Sequence, residues 1–365
     1  MKLRTLKKSS TFVPSQKHHM GINLEKGRLK WSVPTIFILG LVAMILVIPT
    51  MIVVPFISKG EVLSQSIDKQ QGEKDAKQLV EDDSAVEVSV MRTQTSQVED
   101  VPLETYVTRV VAGEMPVEFE TEALKAQALA ARTYIVNQML YQKEEEVSNV
   151  TDTIQDQVYK DDMELRQKWG KNYQKNMDKI SAAVLATKGQ IITYNNKPIT
   201  PQFFSTSNGF TENSEDYWTN EIPYLRSVPS PWDEVSPYYL DQETFTIEEV
   251  EKALGTNLPN NQKLSIEATR TKSKRVEQIN IAGAKFSGRE IREKLKLRSN
   301  DFTIEQKNNY LIFTTKGNGH GVGMSQYGAN GMAQEGKTYE EIIKYYYKDV
   351  EINNMDEAVP ALVMK

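Results

Sequence analysis

The stretch from Leu103 to Ile135 restricts what this chain can fold into more than any other, because it reads as two helices joined through a proline break. Leu103, Tyr106, Val107, Val110 and Val111 recur at helical spacing, and Pro102 suits a first helical position, where a missing N–H costs least. Pro116 disfavours helical backbone at Met115, so the first helix is predicted to close near Gly113 and Glu114. In the second helix Thr121 is the expected cap. Leu124, Ala128, Ala131 and Ile135 then share one face, with Gln127 and Arg132 to either side. Alanines at 123, 126, 128, 130 and 131 favour helix and let neighbouring elements approach closely, which predicts a buried core helix. An Arg on such a helix requires an acceptor, either a structural carboxylate or a ligand oxygen. Glu114 falls among the unpaired carbonyls of the first helix, beside Met115, Pro116 and Phe119. The negative end of the helix dipole and burial both oppose its ionisation, and a carboxyl that keeps its proton near neutral pH is what a general acid requires. The alternative is a carboxylate that merely caps a local turn.

Ahead of this stretch, Trp31 to Ile57 carries no charged residue and Ile36 to Val54 is almost wholly apolar, enough helix to span a bilayer. Lys2, Arg4, Lys7, Lys8, Lys17, Lys26, Arg28 and Lys30 precede it against the single acid Glu25. The positive-inside rule therefore predicts a cytoplasmic tail over 1–30, one transmembrane helix over 31–57, and everything beyond it on the extracytoplasmic side of the cell membrane. A cleaved signal is the competing reading, but Phe56-Ile57-Ser58-Lys59-Gly60 lacks a small-x-small cleavage pattern. Residues 58–84 are rich in Lys, Glu, Gln, Asp and Ser and read as a stalk. Without the tail, 36 Lys and Arg stand against 48 Asp and Glu, a net charge of −12, which argues against nucleic acid as a partner. The absence of Cys excludes a disulfide or a thiolate nucleophile.

The folded body is predicted over 85–353, with a C-terminal tail over 354–365. Strict alternation over Val86-Glu87-Val88-Ser89-Val90 marks its first strand. Residues 143–162 read as a charged surface excursion. A helix over 162–187 follows, with Leu165, Trp169, Tyr173, Met177, Ile180 and Val184 as its stripe, Gly170 a blemish and Gly189 its stop. Strands are expected over Gln190–Tyr194 and Pro198–Phe204, turned by Asn195-Asn196. They deliver the loop Ser205-Thr206-Ser207-Asn208-Gly209, either a sugar-cradling loop or a plain polar turn. Trp218 to Tyr239 is an aromatic, Pro-rich wall whose rings suit sugar faces or core packing. Further strands are expected over 263–270, 275–281, 301–306 and 310–315. Short helices open at Ser287 and at Thr338, each followed three residues later by Glu. Grouped strands and separate helices predict an α+β fold of mixed strands around the central buried helix.

A second informative stretch runs from Gly317 to Ala329, where glycines at 317, 319, 321 and 323 alternate around His320, the one His outside the basic tail. The alternation suggests backbone N–H groups left open for a ligand. The spacing fits neither a dinucleotide loop nor a nucleophile elbow, and one His without Cys gives no basis for a zinc site, so no metal and no cofactor are expected. A Ser hydrolase using Ser325 or Ser207 with His320 is a further alternative.

These two stretches, Gly113-Glu114-Met115-Pro116 with Ala123 to Tyr134 and Gly319 to Gln326, together with the Ser207-Asn208-Gly209 loop, resemble the stage II sporulation protein D family over roughly residues 85–353. The resemblance implies a membrane-anchored lytic transglycosylase acting in engulfment during endospore formation. Its substrate would be peptidoglycan glycan strands stripped of their peptides, cut between N-acetylmuramic acid and N-acetylglucosamine with 1,6-anhydro ends. Its implied partners are a cell-wall amidase and a multi-spanning membrane protein. The family's catalytic acid falls on Glu114 and its helix Arg on Arg132. Ser207, Asn208, His320 and Gln326 are expected to orient the sugar with Arg132. The rival reading is a non-catalytic glycan-binding activator of the partner amidase.

Overall fold

The structure is a computed structural model that describes residues 86–142, 147–259 and 262–363. The basic tail, the apolar run and the stalk lie outside the described residues, and among the described residues no helix is long and apolar enough to cross a membrane.

Strand β1 (Glu87–Arg92) pairs antiparallel with β2 (Gln97–Pro102), burying Val88 and Val90 by the expected alternation. Helix α1 (Leu103–Glu114) starts directly after Pro102, and Met115 leaves it extended at φ −114° and ψ 147°, as the following proline requires. Helix α2 (Thr121–Tyr141) takes Thr121 as its first residue, with Glu120 in the cap position making no side-chain bond, so the expected Thr121 cap is displaced by one. Within the charged excursion, β3 (Val150–Thr151) joins β1 in parallel, more order than its composition suggests.

The single helix expected over 162–187 is broken. Helix α3 (Asp162–Trp169) opens on an Asp161–Glu164 capping box and ends where Gly170 turns to φ 52°; a 3-10 turn then leads into α4 (Tyr173–Leu185). Strand β4 (Gln190–Tyr194) turns through Asn195 and Asn196, both at positive φ, into β5 (Lys197–Pro198). The strand expected over 198–204 splits there, because Pro201 has no N–H for a ladder, and β6 (Phe203–Phe204) pairs elsewhere.

From 240 to 316 the chain forms a unit with its own apolar cluster, including Val250, Leu254, Ile281, Ile291, Leu311 and Phe313. It holds β7 (Leu240–Thr246), α5 (Ile247–Leu254), β8 (Ile266–Arg270), β9 (Val276–Ile281), β10 (Ala284–Ser287), α6 (Gly288–Leu295), β11 (Phe302–Lys307) and β12 (Tyr310–Lys316). Two three-stranded sheets result, ordered β10-β9-β8 and β11-β12-β7. The chain then returns through β13 (Met324–Ser325), parallel to β6, into α7 (Gln326–Gln334) and α8 (Tyr339–Tyr346), adds β14 (Glu351–Asn354) to β4, and continues where a tail was expected into two short helices, α9 (Met355–Ala358) and α10 (Pro360–Val363), with Met355 and Val359 buried in the larger cluster. The body is α+β, with two hydrophobic clusters among the described residues.

Helix α2 is the centre of the larger cluster, with α1, α4, α7, α8 and β4 packed against it. Its alanines allow these approaches, while Leu124, Leu129 and Ile135 are fully buried, each contributing roughly 1.5–3 kcal/mol. A larger side chain at Ala128 or Ala131 would overpack this junction by about 1–3 kcal/mol. Because α1 and α7 are fixed against the same helix, Glu114 and Gln326 are carried to one place.

Candidate functional site

An open cleft of about 830 Å³ runs beside the end of α1. Glu114, the 154–158 loop, Lys168 and Trp169 line it together with Ser205, Tyr238, His320, Gln326 and Tyr327. Glu114 is positioned by its own motif. The Val158 N–H donates to Glu114 Oε1 at 2.8 Å, and a Cβ on Gly113 would stand 2.3 Å from the Val158 carbonyl oxygen, so only glycine lets that loop approach. Burial pushes the Glu114 carboxyl above the usual range. The Val158 N–H, the Gln326 amide and the Lys168 cation oppose that rise without cancelling it. The direction matches the sequence argument, but desolvation rather than the helix dipole is the main cause.

Gln326 is the first residue of α7 and reaches back from it, its Nε2 3.4 Å from Gln127 Oε1 on α2. The amide thus sits between the acid and the core helix. Lys168, at the end of α3, donates to the Ala112 carbonyl at 3.0 Å, using one of the orphan carbonyls of α1.

His320 lines the cleft but is already committed. Val322 N–H donates to its Nδ1 at 3.0 Å, so the proton lies on Nε2, which donates to the Phe203 carbonyl at 3.1 Å. The rings of Phe204, Tyr217 and Trp218 surround it at 5.6–5.8 Å. Burial, with Arg292 adding like charge, pushes its pKa down to about 3. His320 is therefore neutral, and the hydrogen bond to a sugar expected of it is taken up within the protein.

Three other expected contacts are corrected. Arg132 is fully buried and does not line the cleft: Nε and Nη2 donate to the Glu104 carboxylate at 2.9 and 2.6 Å, and the remaining donors meet Val184, Thr187 and Gln190. Of the two acceptors the sequence allowed, it found the structural one. Ser207 is buried against Asp233, to which its N–H and hydroxyl both donate at 2.8 Å, and Asn208 donates to Asp301 and to the Ser273 carbonyl. Both hold the loop in place, and it is Ser205 that meets the cleft. Ser325 also bonds Asp233, so neither serine is poised beside His320 as a nucleophile.

Two of the four alternating glycines, Gly317 and Gly319, have their amides tied into the fold. The amides of Gly317, Asn318, Gly319 and Met324 donate to Tyr239, Thr206, Arg298 and Gln202 rather than standing open. A Cβ on Gly323 would lie 2.0 Å from the Gln202 carbonyl oxygen, so the glycine permits the β6–β13 contact that carries Ser205 and Gln326 to the cleft. Of the aromatic wall, Tyr238 lines the cleft while Trp218 packs on His320.

Val158, Lys168 and Tyr327 escaped the sequence reading. Lys168-Trp169 at the break before Gly170 was the available signal, since a helix that stops there exposes its last turn.

Fold and site together define an α+β protein with one desolvated carboxyl presented to an open cleft. A family model described as stage II sporulation protein matches residues 91–194, a span that contains Glu114, Val158 and Lys168. The stage II sporulation protein D of Bacillus amyloliquefaciens is 47% identical over 345 residues, covering 91% of this chain and 99% of that protein. That of Bacillus subtilis is 46% identical over 325 residues, covering 87% and 94%. A more distant relative named amidase enhancer, also from Bacillus subtilis, is 27% identical over 294 residues and is covered over 39% of its length. The chain belongs to the stage II sporulation protein D family, and its role lies in sporulation.

Proposed function

We propose that this protein is a lytic transglycosylase that cuts the MurNAc–GlcNAc bond of peptide-stripped glycan strands and leaves 1,6-anhydro-muramoyl ends. The observation that carries the proposal is the Glu114 carboxyl, lifted by burial while lining a cleft of about 830 Å³. In its protonated form Glu114 donates to the glycosidic oxygen as that bond breaks. As a carboxylate it then accepts the proton of the muramoyl 6-hydroxyl, whose oxygen closes onto the anomeric carbon. The proton count balances, and no water is consumed. Gln326 orients the acid, the Val158 N–H favours the carboxylate midway, and Trp169, Tyr238 and Tyr327 offer ring faces to sugars.

In this reading the apolar run over 31–57 anchors the chain in the cell membrane, with the tail in the cytoplasm and the cleft outside. There it acts in engulfment beside a cell-wall amidase and a multi-spanning membrane protein. The amidase-enhancer relative supports a link to an amidase and keeps a second reading in view, that of a glycan-binding activator. Incubating the full chain, purified in detergent, with stripped strands separates the two. Anhydro-muramoyl ends form without amidase if the protein cleaves, and Glu114→Gln abolishes them while strand binding persists. Strand binding with no product from the wild type would favour the activator.

A further inference from the structure

Lys168 stands beside the acid as a cation with no ion-pair partner among the described residues. It is the sole Lys or Arg among the described residues that line the cleft. Its ammonium donates to the Ala112 carbonyl, and Glu114 and Glu118 act on it only through space. This arrangement works against the acid, because a nearby cation favours the ionised carboxyl and opposes what burial achieves at Glu114. A ligand that brought its own anion would remove the conflict, pairing the ammonium and leaving Glu114 free to hold its proton.

The substrate proposed above can supply such an anion. Each muramoyl sugar bears a lactyl ether on O3, on the same sugar whose bond to N-acetylglucosamine is cut. With a stem peptide attached, the lactyl carbonyl is a neutral amide. Once the peptide has been removed it is a carboxylate.

We propose that Lys168 pairs with the free lactyl carboxylate of the muramoyl sugar at the cleavage point and so makes the cleft selective for peptide-stripped strands. The proposal rests on the glycan-cleaving reading and deepens it by naming the group on the strand that the site reads. Lys168 is a specificity residue. It makes and breaks no bond, and its ammonium retains one donor on Ala112 while two remain for the carboxylate.

The test uses two strands of one length, one with free lactyl carboxylates and one whose carboxylates have been converted to methylamides. The wild-type full chain is expected to cleave the carboxylate strand with a kcat/KM roughly tenfold higher, the scale of one charge-assisted hydrogen bond, mainly through KM. Lys168→Met should abolish the preference, cleaving the two strands with equal kcat/KM, and Lys168→Arg should retain most of it. A merely structural lysine would lower both rates together, leaving the ratio intact, and that result overturns the proposal. So does equal cleavage of the two strands by the wild type, which needs no variant to be folded. Absence of product from either strand would instead remove the glycan-cleaving reading. In that case binding of the two strands still reports whether Lys168 discriminates between them, and equal binding overturns the proposal.

Discussion

If Arg132 holds the fold rather than the sugar, it should be replaceable together with its partner. Its side chain is 0% exposed and that of Glu104 is 7% exposed, and the carboxylate also accepts from the Gly189 N–H at 3.3 Å. The pair ties α1 to α2, and through Val184 and Gln190 to α4 and β4, so four elements of the larger core meet on one guanidinium. Arg132→Met alone leaves a buried carboxylate without its cation, a change that costs about 3–5 kcal/mol. For a body of this size that lowers Tm by roughly 10 °C. Arg132→Met combined with Glu104→Leu removes both charges and replaces them with apolar groups of similar volume, which is often neutral. The Gly189 N–H and two carbonyls lose partners, so recovery should be large but incomplete. Thermal melts followed by circular dichroism give the stability, and the yield of anhydro-muramoyl ends gives the activity. The double variant is expected to melt within a few degrees of wild type and to cleave. A double variant that regains its Tm yet no longer binds or cuts glycan would return Arg132 to the substrate and refute the reasoning.

Gly113→Ala brings a Cβ to 2.3 Å from a backbone oxygen where ordinary contact begins near 3.4 Å, so the 154–158 loop must withdraw by about 1 Å and take the Val158 N–H with it. The expected result is a kcat lower by about 10²-fold with KM little changed; wild-type kcat would deny that the loop positions the acid. His320, with its pKa near 3 in the folded protein against about 6.5 unfolded, should show no imidazole titration by NMR between pH 8 and 5. Because the unfolded chain binds the extra proton, the stability that His320 contributes is complete above pH 6.5 and drains as pH falls from there towards 3, so His320→Gln should flatten that part of the pH–stability curve.

The elements that the sequence made legible are those with one dominant local cause. Pro116 ends α1, Asn195-Asn196 makes a hairpin, and the alanines of α2 announce a helix buried on every side. Where two causes compete, the local pattern and the fold part company. The apolar stripe over 162–187 outvoted Gly170, although the capping box at Asp161 fixed only the first part of that helix. Strand β7 went unseen because Leu240–Thr246 is largely exposed and shows no alternation, its order coming from β12 across the sheet, whereas α5 carried a readable signal in its Thr246–Glu249 capping box and its Ile247, Val250 and Leu254 stripe. At the site, chemistry named the candidate groups but not their partners. A buried Arg, Ser or Asn looks the same in sequence whether it meets a ligand or another side chain, and Glu104, Asp233 and Asp301 lie 28, 26 and 93 residues from the groups they claim. Glu114 was singled out by a local signal, the Pro116 break that ends α1, whereas Val158, Lys168 and Gln326, which meet it at the cleft, come from distant parts of the chain.

If the protein cleaves glycan as proposed, the number of free acids in the cleft decides the kind of product. A hydrolase of glycosidic bonds ordinarily needs a second carboxylate to activate water or to attack the sugar. Besides Glu114, Asp156 and Glu118 line the cleft among the described residues. Asp156 is occupied: Oδ1 accepts from the Tyr134 hydroxyl at 2.9 Å, and Oδ2 accepts from the Thr151 N–H and hydroxyl at 2.8 and 2.7 Å. Those bonds hold the loop that presents Val158 and occupy both carboxylate oxygens. Glu118 is exposed at the rim, on the far side of Pro116 from the end of α1, where solvent weakens any action on a buried bond. On the proposed glycan-cleaving reading, one acid then serves both halves of the reaction, and an internal nucleophile replaces water. Run in water enriched in ¹⁸O, the reaction should yield anhydro ends without label, and Glu118→Gln should change the yield less than twofold. Reducing ends that carry ¹⁸O as the main product would require a second acid and would break the one-carboxyl account at its central step.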